Sequence, residues 1–336
     1  MAANYWESTQ RRYWQFTKDE LAQLRENLEE EEQSLVQMFP LPQWRHLSIY
    51  FNQQLHRLAK RLNCRQQAVA TAQLYIKRFY CKVEIRRTNP YLVLTTALYL
   101  ACKMEECPQH IRIVVQEART MYSDLLTVDT SRLGECEFFL ISEMSSHLIV
   151  HQPYRTLTQL QTEFALSQEE ISLALSVIND HYMTDLPLHY PPHIVALTAI
   201  LLSLVLRPNS VSATPAAGMA AAASVLAQAQ GRQQQFGMGG GGGSGIASGQ
   251  TTPGAGPPPT TGGGGGMSEK EKQQGERVGK VQRFAQFLAE SNVDIEGMVD
   301  CTQELISFYE CHEQYNDKMT REQINRFIKA RALDRP

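Results

Sequence analysis

The sequence predicts an all-α fold made of two five-helix repeats, and three observations carry that reading. Helical hydrophobic periods recur along the chain, while alternating strand patterns are almost absent. Shifting the chain by 102 residues lays the apolar run beginning at Pro90 on the one beginning at Pro192, with Tyr80 on Tyr182 and Ala97 on Ala199. Shifting it by 165 lays Asp129, Leu133, Cys136 and Leu140-Ile141-Ser142 on Asp294, Met298, Cys301 and Leu305-Ile306-Ser307. A length of 336 residues with 43% hydrophobic content suits two cores of this kind.

The first unit is residues 1–42. Tyr5, Trp6, Tyr13, Trp14 and Phe16 crowd aromatic surface into a terminus that would otherwise fray, which fits either packing on their own domain or docking to a partner. Thr17-Lys18-Asp19-Glu20 has the form of a capping box and opens an N-terminal amphipathic helix, with the acidic run 29–32 as its solvated face and end.

Residues 43–150 form the first repeat, with helices expected at 43–62, 65–80, 90–106, 110–122 and 129–146. Pro90 suits the first turn of the third helix, and Pro108 helps to end it. The second repeat, 151–320, gives helices at 154–164, 168–184 and 192–206. It then meets an alanine run, a glutamine cluster and two glycine runs. That composition reads as a disordered low-complexity insertion over 208–275, whose removal should leave folding intact. Helical pattern resumes at 278–289 and 294–315, and the two offsets differ by 63 residues, which sizes the insertion independently. Residues 321–336 read as a C-terminal tail.

Composition excludes several classes of function. A net charge of −3 gives no basic excess for neutralising phosphates, so direct nucleic-acid binding is not expected. Seven cysteines without a C-x-x-C pair read as free thiols in a reducing compartment, with neither a disulfide framework nor a metal site. No apolar run is long enough to span a bilayer, so no membrane association is expected. The glycine runs lack the flanking strand and helix of a phosphate-binding loop, and neither an H-E-x-x-H nor a G-x-S-x-G motif occurs. A catalytic role and a cofactor are therefore not expected.

One charge breaks the pattern. Lys103 stands near the end of an otherwise apolar helix, where an ammonium needs either a route to solvent or a partner. In the second repeat Val205 takes its place, and Thr302 takes the place of Glu137. A Lys and a Glu confined to one of two copies read better as a site than as scaffold, although ion pairs also serve purely structural ends.

Leu100-Ala101-Cys102-Lys103-Met104-Glu105-Glu106 is similar to the cyclin-box signature, and Glu137 within Glu135-Cys136-Glu137-Phe138 matches its partner glutamate. Five further stretches resemble the C-type cyclins. They are Asn4-Tyr5-Trp6-Glu7-Ser8, the run from Arg65 to Ala72, Lys77-Arg78-Phe79-Tyr80, His151-Gln152-Pro153-Tyr154-Arg155, and the run from Thr184 to Pro192. The resemblance implies a cyclin fold and a nuclear regulatory subunit that is not itself an enzyme. Such a subunit binds and activates a cyclin-dependent kinase within the Mediator complex, beside other Mediator subunits, and regulates transcription by RNA polymerase II. It implies kinase-binding roles for Lys103 and Glu137, with Met104 and Leu148 in the apolar surround. The region that in cell-cycle cyclins carries a substrate-docking M-R-A-I-L reads Trp44-Arg45-His46-Leu47-Ser48 here, so substrate recruitment by that route is not expected. The competing reading is a cyclin-fold transcription factor that binds promoter DNA directly.

Overall fold

The computed structural model describes residues 4–206, 215–238 and 269–333. Three N-terminal helices come first: α1 (Thr9–Tyr13), α2 (Lys18–Glu31) and α3 (Gln33–Met38). The first repeat is α4 (Trp44–Arg61), α5 (Gln66–Tyr80), α6 (Pro90–Met104), α7 (Ile111–Met121) and α8 (Thr130–Glu143). The second contains α9 (Tyr154–Glu163), α10 (Gln168–His181), the single turn α11 (Leu186–His189) and α12 (Pro192–Val205). It continues through α13 (Pro215–Met238), α14 (Glu269–Glu290) and α15 (Ile295–Gln314), and α16 (Asp317–Ala330) follows.

The repeat is visible in the helix ends. An offset of 102 carries the first residue of α5 onto that of α10 and the first residue of α6 onto that of α12. At the other offset, Asp129 and Asp294 are the N-caps of α8 and α15, and each carboxylate accepts a backbone N–H three residues on. The capping box at Thr17 and Glu20 forms as the sequence predicts. Both central helices, α6 and α12, are buried along nearly their whole length, each at the heart of its own apolar core.

Two segments depart from the expected organisation. Within the expected insertion 208–275, residues 215–238 form α13, and Ala222, Val225, Leu226 and Ala229 on one face are buried in the second core. That i, i+3, i+4, i+7 spacing is an amphipathic stripe, and alanine and glutamine are good helix formers. Residues 269–275 belong to α14, the counterpart of α7, while 207–214 and 239–268 lie outside the described residues. At the other end the expected tail is mostly helix. Ile324, Phe327 and Ile328 of α16 are buried in the first repeat's core, and Tyr91 donates from its hydroxyl to Asn325 at 2.9 Å.

Asp185 joins three parts of the chain. It lies between α10 and α11 and takes a two-pronged contact from Arg25 of α2, with both N···O distances 2.8 Å. Lys77 of α5, its side chain 9% exposed, stands 3.8 Å away. Burial pushes the Asp185 carboxyl up, but Lys77 and Arg25 outweigh it and hold the pKa at about 2. Burial draws Lys77 below the usual lysine value, against the pull of Asp185. A second bridge runs from Arg45 of α4 to Glu304 and Ser307 of α15, at 2.8 and 2.6 Å.

Some of the N-terminal aromatics are buried in their own domain and others stay near its surface. Trp14 is buried, donates from Nε1 to His147 at 3.1 Å and lies under the Arg78 guanidinium. Phe16 donates from its backbone N–H to the Leu188 carbonyl at 2.7 Å. Trp6 and Tyr13 remain more than half exposed, Tyr13 stacking on His147.

Two outcomes test this account. Asp185→Asn strands a nearly buried lysine and should lower unfolding free energy in urea by about 3 to 5 kcal/mol. Because the folded pKa of Asp185 lies below its ordinary value, that difference is present in full above pH 4 or so. It should fade as pH falls towards 2. Truncating Leu226, 1% exposed, to alanine should cost about 2 to 5 kcal/mol, so a chain lacking residues 210–275 should melt well below the intact one in a calorimeter.

Candidate functional site

The C-terminal turn of α6 and the middle of α8 lie against each other, and this packing brings Lys103 to Glu137. The Lys103 ammonium stands 2.5 Å from Glu137 Oε1, with the lysine side chain 39% exposed and the glutamate 13%. The lysine follows from a local pattern: it is the one cation on α6, placed in the last turn where the helix C-terminus favours positive charge. One turn back, the ring of Tyr99 lies 4.6 Å beneath the ammonium and adds a cation–π contact. Glu137 is placed by the burial of its helix neighbours Leu133 and Leu140, which fix the face that α8 turns inward.

The carboxylate is incompletely satisfied. Oε1 is shielded from solvent and receives no well-directed hydrogen bond, so its contact with Lys103 is chiefly electrostatic. In the second repeat the equivalent Thr302 is buried and closes its hydroxyl on the Met298 carbonyl of its own helix at 2.8 Å. One copy is therefore self-contained at this position, and the other keeps spare hydrogen-bonding capacity.

Of the other two residues singled out from the sequence, Met104 follows Lys103 and is 40% exposed, whereas Leu148 is half-buried and packs on the first core. The turn that carries Leu148 is held from within by α5. Tyr75 donates its hydroxyl to the Leu148 carbonyl at 2.5 Å, and Arg78 donates to the His147 carbonyl at 2.7 Å. Burial lowers the Arg78 pKa to about 10, which leaves the guanidinium charged at neutral pH. Gln152, further along the same linker, donates to Thr71 of α5 at 2.6 Å and reaches Glu105 at the α6 C-terminus at 3.4 Å. Gln10 of α1 brackets His151, accepting its backbone N–H at 2.7 Å and donating to its carbonyl at 3.3 Å.

Sequence reasoning missed the outward apolar residues. Phe138 is 77% exposed and Phe139, edge-on to Phe79, is 42% exposed, while Ile149 beside Leu148 is 57% exposed. The local signal was two adjacent phenylalanines directly after Glu137, but adjacency does not say that they face outwards, since Phe79 and Tyr80 of α5 are equally adjacent and both buried. Among the described residues, no group of three or more His, Cys, Asp or Glu side chains is arranged to hold a metal ion. None of their helices is long and apolar enough to cross a membrane.

The pattern known as the cyclin N-terminal domain matches residues 16–148, which spans α2, α3 and the five helices of the first repeat, α4 to α8. A Neurospora crassa protein named RNA polymerase II holoenzyme cyclin-like subunit is 62% identical over the full length of both chains. Proteins of the same name from Chaetomium globosum and Aspergillus fumigatus are 60% and 52% identical, again over both full lengths. Among solved structures, a chain of the Chaetomium thermophilum CAK complex bound to ATP-gamma-S superposes with a TM-score of 0.53 at 17% identity. That match covers 96% of this chain and 88% of the other and shows the shared fold.

The exposure of the pair leads to an expected outcome for the isolated chain. Replacing Lys103 with alanine removes a partly solvated ion pair and should lower the unfolding free energy by no more than about 1 kcal/mol. A urea titration followed by circular dichroism checks this, and helical content should not change.

Proposed function

The chain belongs to the cyclin family, and on that premise we propose that it is a C-type cyclin that binds and activates a cyclin-dependent kinase of the Mediator complex in the nucleus, regulating transcription by RNA polymerase II. It is a regulatory subunit in this reading, and the chemistry belongs to the kinase. The observation that carries the reading is the Lys103–Glu137 pair at 2.5 Å, confined to the first repeat and bordered by exposed Met104 and Phe138. The identity to relatives named as holoenzyme cyclin-like subunits supports the transcriptional setting.

The mechanism follows from what the pair still lacks. An ammonium has three N–H donors, and one carboxylate does not exhaust them. Glu137 in turn can accept more hydrogen bonds than one ammonium supplies. A helix laid across the end of α6 can offer backbone carbonyls to Lys103 and backbone N–H groups to Glu137, which fixes its register. Phe138, Met104 and Ile149 supply apolar contact around these polar anchors, with Leu148 behind them. In a protein kinase the helix that must be positioned is αC, whose glutamate pairs with the ATP-coordinating lysine. Pressing αC inwards completes that pair without any residue of the cyclin entering the active site.

Magnitudes separate this role from a structural one. A pair worth at most about 1 kcal/mol while solvated becomes worth roughly 3 to 5 kcal/mol once a partner has covered it, because breaking it then strands a buried charge. Lys103→Ala should therefore weaken binding to the Mediator cyclin-dependent kinase by more than about tenfold while leaving the melting temperature almost unchanged. Titrating the kinase with either chain and following phosphorylation of a peptide substrate checks it. Equal activation by both chains at limiting concentration would overturn the assignment.

A further inference from the structure

Three thiols meet at the corner where α4 turns into α5 beneath the end of α6. Cys102, fully buried in the last turn of α6, donates its S–H to the sulfur of Cys64 at 3.5 Å. Cys64 is half-buried, so small solutes have a route to it that they lack to Cys102. Cys107 closes the end of α6, its backbone N–H bonding the Cys102 carbonyl at 2.9 Å, with left-handed Glu106 (φ 53°) before it. Cys64 occupies the matching position at the end of α4: it follows left-handed Asn63 (φ 50°) and donates to the Ala59 carbonyl at 2.9 Å. The backbones of Cys64 and Cys107 are thus held by helix-ending turns while Cys102 stands in the last turn of α6, and nothing in the kinase-binding role calls for these thiols.

We infer that Cys64 and Cys102 form an oxidisable dithiol, a modification site that a peroxide converts to a disulfide. The Cys64 thiolate attacks one peroxide oxygen, forming an S–O bond as the O–O bond breaks, and the departing hydroxide takes up a proton to become water. The sulfur of Cys102 then attacks the Cys64 sulfenic acid. The S–S bond forms, the S–O bond breaks, and the hydroxyl leaves as water with the Cys102 proton. Two thiols are oxidised and one peroxide is reduced to two waters.

The division of roles between the cysteines agrees with their environments. The hydrogen bond from Cys102 lowers the Cys64 pKa against the effect of burial, so Cys64 is the thiol that ionises and meets the oxidant. That same hydrogen bond, together with burial, raises Cys102, which is held protonated in reserve. Closing the gap to the bonded S–S distance of about 2.05 Å draws the last turn of α6 towards the α4–α5 turn. Lys103 is the next residue along that turn, so the disulfide moves the ammonium relative to Glu137. This last consequence rests on the proposed kinase-binding role of the pair.

The test treats the purified full chain with hydrogen peroxide and maps the products by mass spectrometry. The expected result is a cross-link between the peptides carrying Cys64 and Cys102, reversed by dithiothreitol and absent from Cys64→Ser. In Cys102→Ala, Cys64 should instead be trapped by dimedone as the sulfenic acid. A cross-link to Cys107 in place of Cys102, or a Cys64 that stays reduced while buried Cys81 or Cys301 reacts, would overturn the inference. Affinity for the cyclin-dependent kinase is then compared before and after oxidation, and the oxidised chain should bind about tenfold more weakly. Equal affinity would overturn the link to Lys103. If the reduced chain itself fails to bind, the kinase reading fails, and the cross-link map still decides the dithiol.

Discussion

One carboxylate ties the N-terminal helix and both repeats together. Asp185 sits in the second repeat, Lys77 in the first and Arg25 in the N-terminal helix, so satisfying one nearly buried lysine fixes three segments against one another. An apolar junction would have been cheaper in desolvation, but it would also have tolerated sliding. A carboxylate gripped at both oxygens by a guanidinium has one favourable geometry. Trp44 adds its indole beneath the same Arg25, which ties the start of α4 into the cluster. The junction thus helps to hold two repeats, each with its own core, in a defined relative orientation.

Helix α5 transmits that constraint to the candidate site. Lys77 on one side of it reaches Asp185. Thr71, Tyr75 and Arg78, spaced by four and then three residues, lie along a neighbouring stripe and grip the linker at Gln152, Leu148 and His147. The helix is buried from Ala68 onwards, so its donors act in surroundings where an unmade hydrogen bond costs about 1 to 3 kcal/mol. The turn bearing Leu148 and Ile149 is therefore fixed by the same helix that fixes the repeats.

Much of this was legible in the sequence, and what was not has a physical reason. The repeats could be read because helix starts and N-caps are local: Pro90 and Pro192, or Asp129 and Asp294, recur at fixed offsets whatever surrounds them. Lys103 could be read because a charge interrupts an apolar helix, and Glu137 because its counterpart is a threonine. Helix α13 was obscured by composition. Its stripe of Ala222, Val225, Leu226 and Ala229 is regular, but the glycine runs downstream made the whole stretch look unable to bury a face. Helix α16, expected as a tail, was obscured for another reason: Ile324, Phe327 and Ile328 are a few apolar residues in a polar stretch, and nothing local says that they return to the core of the first repeat. The roles of Tyr75, Arg78 and Gln10 depend on contacts across 141 residues or fewer of intervening chain that no local pattern encodes.

The N-terminal segment shows why these non-local donors matter for function. Gln10 and Trp14 are buried where they meet the linker, while Tyr13 and Trp6 between and before them stay outside. Tyr13 stacks on His147 at 4.8 Å, directly before the Leu148–Ile149 step, so the segment covers the start of that turn. A partner helix meeting such a surface finds its backbone already held by buried hydrogen bonds on both sides. Binding then loses little ordering entropy in the cyclin, and the contact energy of the exposed aromatics and the ion pair goes into affinity. Under the proposed kinase-binding role, burying hydrogen-bond donors beneath a half-exposed site is the means by which a fold common to both repeats becomes a rigid docking surface in one of them.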